Sequence, residues 1–335
     1  MRLFPKIMAM LCLGALALAS TAAPVGAAPL YEGKILTIVV GYGPGGGYDR
    51  IARLLAKHLG KYIPGNPSII VENMPGAGSL IACNHLYNKA QPDGFTIGTF
   101  NRGLPFAQLL KEEGARFDMK KFAWIGSAAS EGTVLVIRSE LPFKNYAELS
   151  KSTEPLILGA TGPTDTTTQY ARMLQEVLGI KVKLINYQSS ADIMLSIERK
   201  ETDGRCASYS SVKPFIDRNL VRPILRGRVT EKGSENLPVD EDLTNDPKGK
   251  ALLAMRSAPD AMGRPFVAPP GTPEEALKIL REAFDKVQKD PELIADATKM
   301  DMQIEYAGPD KIMKILDFLF SQPEDVVAVF AKLAK

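Results

Sequence analysis

Gly41-Tyr-Gly-Pro-Gly-Gly-Gly-Tyr-Asp49 is the stretch of sequence that decides the fold. It follows an apolar run typical of a β-strand, Ile35-Leu-Thr-Ile-Val-Val40. It precedes an amphipathic pattern that predicts a helix from Tyr48 to about Ile63. A glycine-rich turn between a strand and a helix presents backbone N–H groups at the positive end of the helix dipole. The stretch therefore predicts an anion-binding loop.

A similar construction occurs 119 residues further along the chain. Ala52-Arg-Leu-Leu-Ala-Lys-His-Leu-Gly60 aligns without a gap on Ala171-Arg-Met-Leu-Gln-Glu-Val-Leu-Gly179. The second helix also follows a strand and a loop of small residues, Leu156-Ile-Leu-Gly-Ala-Thr-Gly-Pro-Thr-Asp165. Two similar loop–helix units in one chain predict two lobes that could close on one anion.

The N-terminus has the pattern of an export signal. Arg2 and Lys6 accompany an apolar run from Ile7 to Ala19, which is short for a membrane span. Small residues follow it, and we predict that a signal peptide of residues 1–27 is cleaved near Ala27. The expected location is the periplasm.

Composition and charge exclude several classes of partner. Without Arg2 and Lys6, 39 of the 41 basic residues remain against 38 acidic ones, so we expect neither nucleic acid nor an anionic membrane as a partner. Cys83 and Cys206 fall in different predicted lobes, and we expect buried free thiols rather than a disulfide. Because no Cys/His spacing typical of a metal site is present, we expect no metal and no cofactor.

Strands and helices alternate along the chain, which predicts an α/β fold with mainly parallel sheets covered by helices. From Arg228 to Asp260 charged residues, Pro and Gly dominate, and we predict a surface connection with at most one short helix. After Pro265-Phe-Val-Ala268, Thr272 is predicted to cap a helix that begins at Pro273.

The glycine turn also matches a dinucleotide-binding pattern, Gly41-x-Gly43-x-x-Gly46, with Glu72 at the end of the next strand. Pro44 inside the turn, the wide glycine loop and the export signal argue against that interpretation. A plain turn that uses glycine for backbone freedom is the third interpretation. An exported nucleotide-using enzyme therefore stays the alternative function.

Nothing in the sequence indicates nucleophilic catalysis. His58 and His85 both fall within helical patterns, and neither has a candidate Ser or Cys nucleophile beside it. No Gly-x-Ser-x-Gly motif is present. We predict no catalytic residues and a protein that is not an enzyme.

Three motifs in this order carry a resemblance to a known family. Val40-Gly-Tyr-Gly-Pro-Gly-Gly-Gly-Tyr-Asp49, Val71-Glu-Asn-Met-Pro-Gly-Ala-Gly78 and Pro92-Asp-Gly94 resemble the substrate-binding receptors of tripartite tricarboxylate transporters, also called Bug receptors. Phe266-Val-Ala-Pro-Pro-Gly-Thr-Pro273 fits the same family. The resemblance covers essentially the whole mature chain. It implies an exported, monomeric, two-lobed protein of the Venus-flytrap type, type II-like, that delivers a small carboxylate to integral-membrane subunits.

The resemblance also implies where the ligand binds, since family members hold a carboxylate between loops of both lobes. Carried over to this chain, the first-lobe residues are Tyr42, Gly43, Gly46, Gly47, Tyr48, Asp49, Gly76, Ala77, Gly78 and Ser79. The second-lobe residues are Thr161, Gly162, Thr164, Asp165, Thr166 and Tyr187. Arg102 follows the strand that ends at Phe100 and is expected at the same rim. Lobe 1 is predicted to comprise residues 28–128 plus 229–335, and lobe 2 residues 129–228.

The chain departs from the family pattern at several of these positions. Tyr48 stands where a small Ser or Thr is usual, and Gln169-Tyr170 stands where His-Leu is usual. Asp165 brings an acid into a loop that should face a carboxylate. Three arrangements avoid the repulsion: Asp165 caps the following helix, pairs with Arg102, or accepts a hydrogen bond from an amine or hydroxyl of the ligand. The last arrangement would favour an amino acid or a hydroxylated acid.

Overall fold

The computed structural model describes residues 29–129, 131–162 and 165–334. The predicted signal peptide and Thr164 of the predicted site lie outside the described residues. Ten strands form two five-stranded sheets. The strands are β1 (Ile35–Val40), β2 (Ser68–Asn73), β3 (Thr96–Thr99), β4 (Ala123–Ser127), β5 (Thr133–Arg138), β6 (Leu156–Ala160), β7 (Val182–Asn186), β8 (Gly204–Ser208), β9 (Val221–Arg226) and β10 (Pro265–Ala268).

The two sheets have matching topology. The first has the order β2-β1-β3-β10-β4, and the second has the order β7-β6-β8-β5-β9. In each sheet the first three strands are parallel, and the fourth (β10 or β5) is antiparallel to both of its neighbours. The carboxyl ends of β1 and β6 therefore carry equivalent loops, the glycine turn in one lobe and residues 161–165 in the other.

Helices cover both sheets. They are α1 (Gly47–His58), α2 (Leu80–Asn88), α3 (Leu104–Leu109), α4 (Tyr146–Leu149), α5 (Thr166–Leu178), α6 (Ser190–Glu198), α7 (Tyr209–Asp217), α8 (Pro247–Ser257), α9 (Glu274–Val287), α10 (Pro291–Lys299), α11 (Pro309–Phe320) and α12 (Glu324–Ala334). The predicted two-lobed α/β architecture is confirmed, but the sheets are mixed rather than mainly parallel, because each contains one strand that is antiparallel to both of its neighbours. Among the described residues, no helix is long and apolar enough to cross a membrane.

The C-terminal part of the chain does not stay on one sheet. Helices α9 and α11 pack against β4 of the first sheet, whereas α8 and α12 pack against α5 beside the second sheet. Phe330 of α12 meets Phe106 of α3 in the same core, with ring centroids 4.6 Å apart. The C-terminal helices therefore cover both sheets, whereas strand β10 of the same part of the chain belongs to the first sheet.

Two local predictions were wrong. Residues 228–260 include the eleven-residue helix α8, which begins after its cap Asp246 and buries Leu252 and Leu253 in the second core. Its polar flanks concealed this short apolar face. Thr272 does not cap α9, because Pro273 occupies the N-cap position and the Thr272 hydroxyl donates to the Pro269 carbonyl. The prediction of free, buried Cys83 and Cys206 is confirmed.

Candidate ligand-binding cleft

The glycine turn leads directly into α1, whose N-cap is Gly46. Gly46 has extended backbone angles and offers no side chain to the N–H groups of the first turn. Asp49 folds back instead and accepts a hydrogen bond from the Gly45 N–H at 2.8 Å. Burial opposes the charge of Asp49, but hydrogen bonds from Arg53, Gly45 and Asn73 outweigh it and hold the pKa of this carboxyl below its ordinary value. Asp49 therefore stabilises the conformation of the glycine turn through a hydrogen bond within it.

The glycine run lies against the start of α6 in the other lobe. A Cβ atom on Gly43 would lie 3.0 Å from Ser189 Cβ, and one on Gly46 would lie 3.3 Å from Ser190 Cβ. A Cβ on Gly47 would lie 2.5 Å from the hydroxyl oxygen of Ser211. The glycines thus permit a close approach of the two lobes.

Asp165 is the N-cap of α5, so the capping arrangement is the one that the structure contains. Its Oδ1 accepts hydrogen bonds from the Thr167 N–H at 2.7 Å and from the Thr167 hydroxyl at 2.6 Å. Its Oδ2 accepts from the hydroxyls of Thr161, at 2.5 Å, and of Tyr42. Tyr42 comes from the first lobe, so this cap also ties the two lobes together.

Tyr42 and Tyr48 fill the middle of the cleft. Their rings stack with centroids 5.0 Å apart, and the Tyr42 hydroxyl accepts a hydrogen bond from Asn101 Nδ2 at 2.5 Å. Burial, followed by the negative charge of Asp165, raises the pKa of Tyr42 well above its ordinary value. Tyr42 is therefore a neutral donor to Asp165 at any physiological pH. Between the tyrosines and the second lobe only a cavity of about 30 Å³ remains, room for little more than water.

The pairing of Arg102 with Asp165 is not formed. Arg102 is buried and donates through Nε to Asp260 at 2.8 Å and through Nη2 to the Thr133 hydroxyl at 3.1 Å. Burial opposes its charge, but Asp260 outweighs this and holds the pKa of Arg102 well above its ordinary value. Asp260 lies closer to Arg102 than Asp165 does. Through its bonds to Asp260 and Thr133, Arg102 connects the two lobes where the chain passes from one sheet to the other.

Eight of the predicted residues surround one cavity of about 240 Å³ between the lobes. Its walls are Tyr42, Gly76, Ala77, Gly78, Ser79, Thr161, Gly162 and Tyr187, together with Asn186 and Gln188, which the sequence did not suggest. A Cβ on Gly162 would lie 3.0 Å from the backbone nitrogen of Gly78, so loops of the two lobes nearly touch here. The cavity is polar and is bounded by both lobes.

The other predicted residues that the structure describes do not line this cavity. Gly46 and Gly47 line a second cavity of about 260 Å³, on the other side of the tyrosines. Tyr48, Arg102 and Asp165 line the small space between the two cavities. Gly43 packs on α6, Asp49 lies inside the loop, and Thr166 is buried at the start of α5.

Sequence reasoning missed Arg205, which lines both the second cavity and the small space. It lies on β8, is only 4% exposed, and donates to the Ser190 carbonyl at 3.1 Å and to the Ser190 hydroxyl at 3.2 Å. Burial lowers its pKa from the ordinary arginine value. One signal was present in the sequence: an arginine in Gly204-Arg-Cys-Ala-Ser208, a strand otherwise made of small residues that the fold buries completely.

This architecture, two α/β lobes of matching topology around a polar cleft, is that of a periplasmic binding protein. The solved structure of the periplasmic binding protein BugD superposes with a TM-score of 0.75, covering 89% of this chain and 97% of that one at 21% identity. MatC from Rhodopseudomonas palustris with bound malate superposes with a TM-score of 0.70 at 18% identity, covering 90% and 99% of the two chains.

The family model described as tripartite tricarboxylate transporter family receptor matches residues 51–322, so the chain belongs to this receptor family. A UPF0065 protein of Agrobacterium vitis, from the TAR-I ttuE-ttuC' intergenic region, is 27% identical over 268 residues, which are 79% of this chain and 74% of that protein. The prediction of a binding receptor rather than an enzyme is thereby confirmed.

Proposed function

We propose that this protein is a periplasmic receptor that captures a small carboxylate between its lobes and delivers it to the membrane subunits of a tripartite transporter. The observation that carries the proposal is the 240 Å³ cavity, which is lined by loops of both lobes. Its volume is below the range of about 300–1,000 Å³ found for pockets that hold drug-sized ligands, which favours a ligand of a few carbons.

The polar lining supports a carboxylate as the ligand. Backbone groups of Gly76–Ser79 and Gly162 surround the cavity. Such neutral groups hold an anion through several hydrogen bonds, each worth about 1.5–3 kcal/mol when the acceptor is charged. MatC, which shares the fold, was solved with malate. The same proposal includes release of the ligand to a membrane partner, export with cleavage near Ala27, and the predicted lobe boundaries.

Capture works by closure in this proposal. Three contacts form only when the lobes meet. They are the packing of the glycine run against the start of α6, the hydrogen bond from Tyr42 to Asp165, and the approach of Gly78 to Gly162. A ligand that bridges the loops adds to these contacts and shifts the population towards the closed form.

The experiment is calorimetric titration of the purified protein with malonate, succinate, malate and citrate, with a dinucleotide as the competing ligand class. We expect saturable binding of at least one short acid and compaction in small-angle X-ray scattering. Ala77→Trp places a large ring in the cavity and should weaken binding at least tenfold, whereas Ala147→Trp, at an exposed position of α4, should not. Binding of the dinucleotide alone would overturn the proposal.

A further inference from the structure

Arg205 differs from the other buried arginines of the described chain. Four arginines are almost completely buried, and three of them pair with carboxylates: Arg102 and Arg256 with Asp260, and Arg264 with Glu131. Arg205 forms no ion pair with any described residue, and its hydrogen bonds go to neutral oxygens of Ser190 and Cys206. A buried cation without a counter-charge is costly, so an anion is needed beside Arg205.

Residues 29–129, 131–162 and 165–334, which the structure describes, supply no anion for this role. Asp165 is close enough to favour the charge of Arg205 through space. Both Asp165 oxygens, however, are held by Tyr42, Thr161 and Thr167. Glu198, at the same cavity, pairs with Arg218 at 3.0 Å. Guanidinium has five N–H donors, and three hydrogen bonds are formed, so two donors are available to a ligand.

The cavity beside Arg205 has one polar and one apolar part. At the polar part, the Ser211 side chain and Gly47 accompany Arg205, and Gly47 begins a helix whose N-cap has no side-chain bond. The apolar part is formed by Met194, Leu195 and Phe215. At about 260 Å³, the cavity has room for a carboxylate with several carbons behind it.

We propose that this cavity is a second compartment of the cleft, which binds the carboxylate of a ligand with an apolar chain or ring, and that Arg205 selects this ligand class. The carboxylate accepts hydrogen bonds from the guanidinium, and the carbon chain lies along Met194, Leu195 and Phe215. The inference rests on the proposed receptor function and extends it, because the 240 Å³ cavity holds short polar acids and this one holds apolar acids.

The test is calorimetric titration of wild type and Arg205→Gln with hexanoate and benzoate, with malate as the short-acid probe. Arg205→Gln should weaken hexanoate and benzoate at least tenfold and leave malate within about twofold. Equal losses for all three acids, or no binding of hexanoate and benzoate to wild type, would overturn the second compartment. Malate binding would then still support the receptor.

A second variant keeps the proposal testable where Arg205→Gln does not fold. Leu195 is 48% exposed, so Leu195→Glu places a negative charge on the apolar wall without disturbing the core. It should abolish hexanoate and benzoate binding. Ile294→Glu, at a 45% exposed position of α10, is the matched control and should leave binding unchanged. If Ala77→Trp weakens malate binding alone and leaves hexanoate and benzoate binding unchanged, the two compartments bind their ligands independently. Unchanged hexanoate binding in Leu195→Glu would refute the proposal.

Discussion

Helices α1 and α5 begin at equivalent places in the two lobes, and they begin differently. Residues 52–60, which include the end of α1, align with residues 171–179, which include the end of α5, yet the N-cap of α1 is Gly46, without a side-chain bond, and the N-cap of α5 is Asp165. A carboxylate of the chain thus already occupies the positive end of α5. The sequence repeat predicted two loops that could close on one anion, but in the structure Asp165 caps one of the two helices, and the start of the other helix lies beside Arg205. Repeated loop–helix units therefore share a fold without sharing a ligand role.

Removal of the internal anion should have the largest effect. Asp165→Ala removes a cap and leaves the hydroxyls of Tyr42 and Thr161 without their acceptor, so we expect a loss of about 3 kcal/mol in the free energy of unfolding. Urea denaturation measures it. Asp246→Ala, which removes the exposed cap of α8, should cost only about 1 kcal/mol. Equal losses of unfolding free energy in the two variants would mean that Asp165 is an ordinary cap and that the difference between the N-caps of α1 and α5 does not affect stability.

The start of α1 depends on a neighbouring group that titrates. Arg264 donates to the Gly47 carbonyl at 3.1 Å and pairs with Glu131, next to Glu231. Burial, followed by the charge of Glu131, raises the pKa of Glu231 to about 8. The folded state therefore holds a proton that the unfolded state releases near pH 4.5, and its stabilising effect is lost as pH rises through 8.

We expect the free energy of unfolding to fall by about 2 kcal/mol between pH 6 and pH 8 through this group. Glu231→Gln should remove most of that dependence, and Glu235→Gln, an exposed neighbour, should keep it. Thermal denaturation across this range provides the measurement. A wild-type stability that stays flat or rises between pH 6 and pH 8 would show that Glu231 is ionised throughout.

A smaller effect, on ligand affinity, is expected from placing a bulky side chain at the start of α1. Gly46→Val directs branches at Ser190, because a Cβ there already lies 3.3 Å from Ser190 Cβ. The lobes should close less completely, and ligand affinity should fall about tenfold, or about 1.4 kcal/mol. Gly308→Val is the matched control, since Gly308 is also an extended N-cap glycine, with its nearest contact at 3.3 Å. Calorimetry that finds both variants equal to wild type would remove the glycine run from the closure mechanism.

Hydrophobic periodicity and glycine placement were enough to predict the strands and the two-lobed plan, but not the antiparallel pairing of β5 and β10. Helix α5 was predicted from its alignment with the first helix, and Asp165 and Gly179 mark its ends in the structure. Helix α8 was predicted only as one short helix without bounds, because polar residues and a proline surround its apolar face. Short α3, with Pro105 in its first turn, gave too few periods to detect.

The candidate site was predictable only where it depends on backbone loops. Gly76–Ser79 and Gly162 follow strand ends, and the structure brings them to one cavity as expected. The partners of Arg102 and Arg205 were not predictable, because Asp260 lies 158 positions from Arg102 and Asp165 lies 40 positions from Arg205, and only the fold brings these charges near. Asp260, which pairs with Arg102, lies in a segment where no pattern was visible.

The contact between Phe106 and Phe330 has a consequence for the order in which the chain folds. Helix α12, eleven residues long, is the most C-terminal helix of the described residues, and its Phe330 is completely buried in the second core. Until α12 docks, Phe106 and the outer face of α5 lack their cover, so the second core is completed only after this helix has been made.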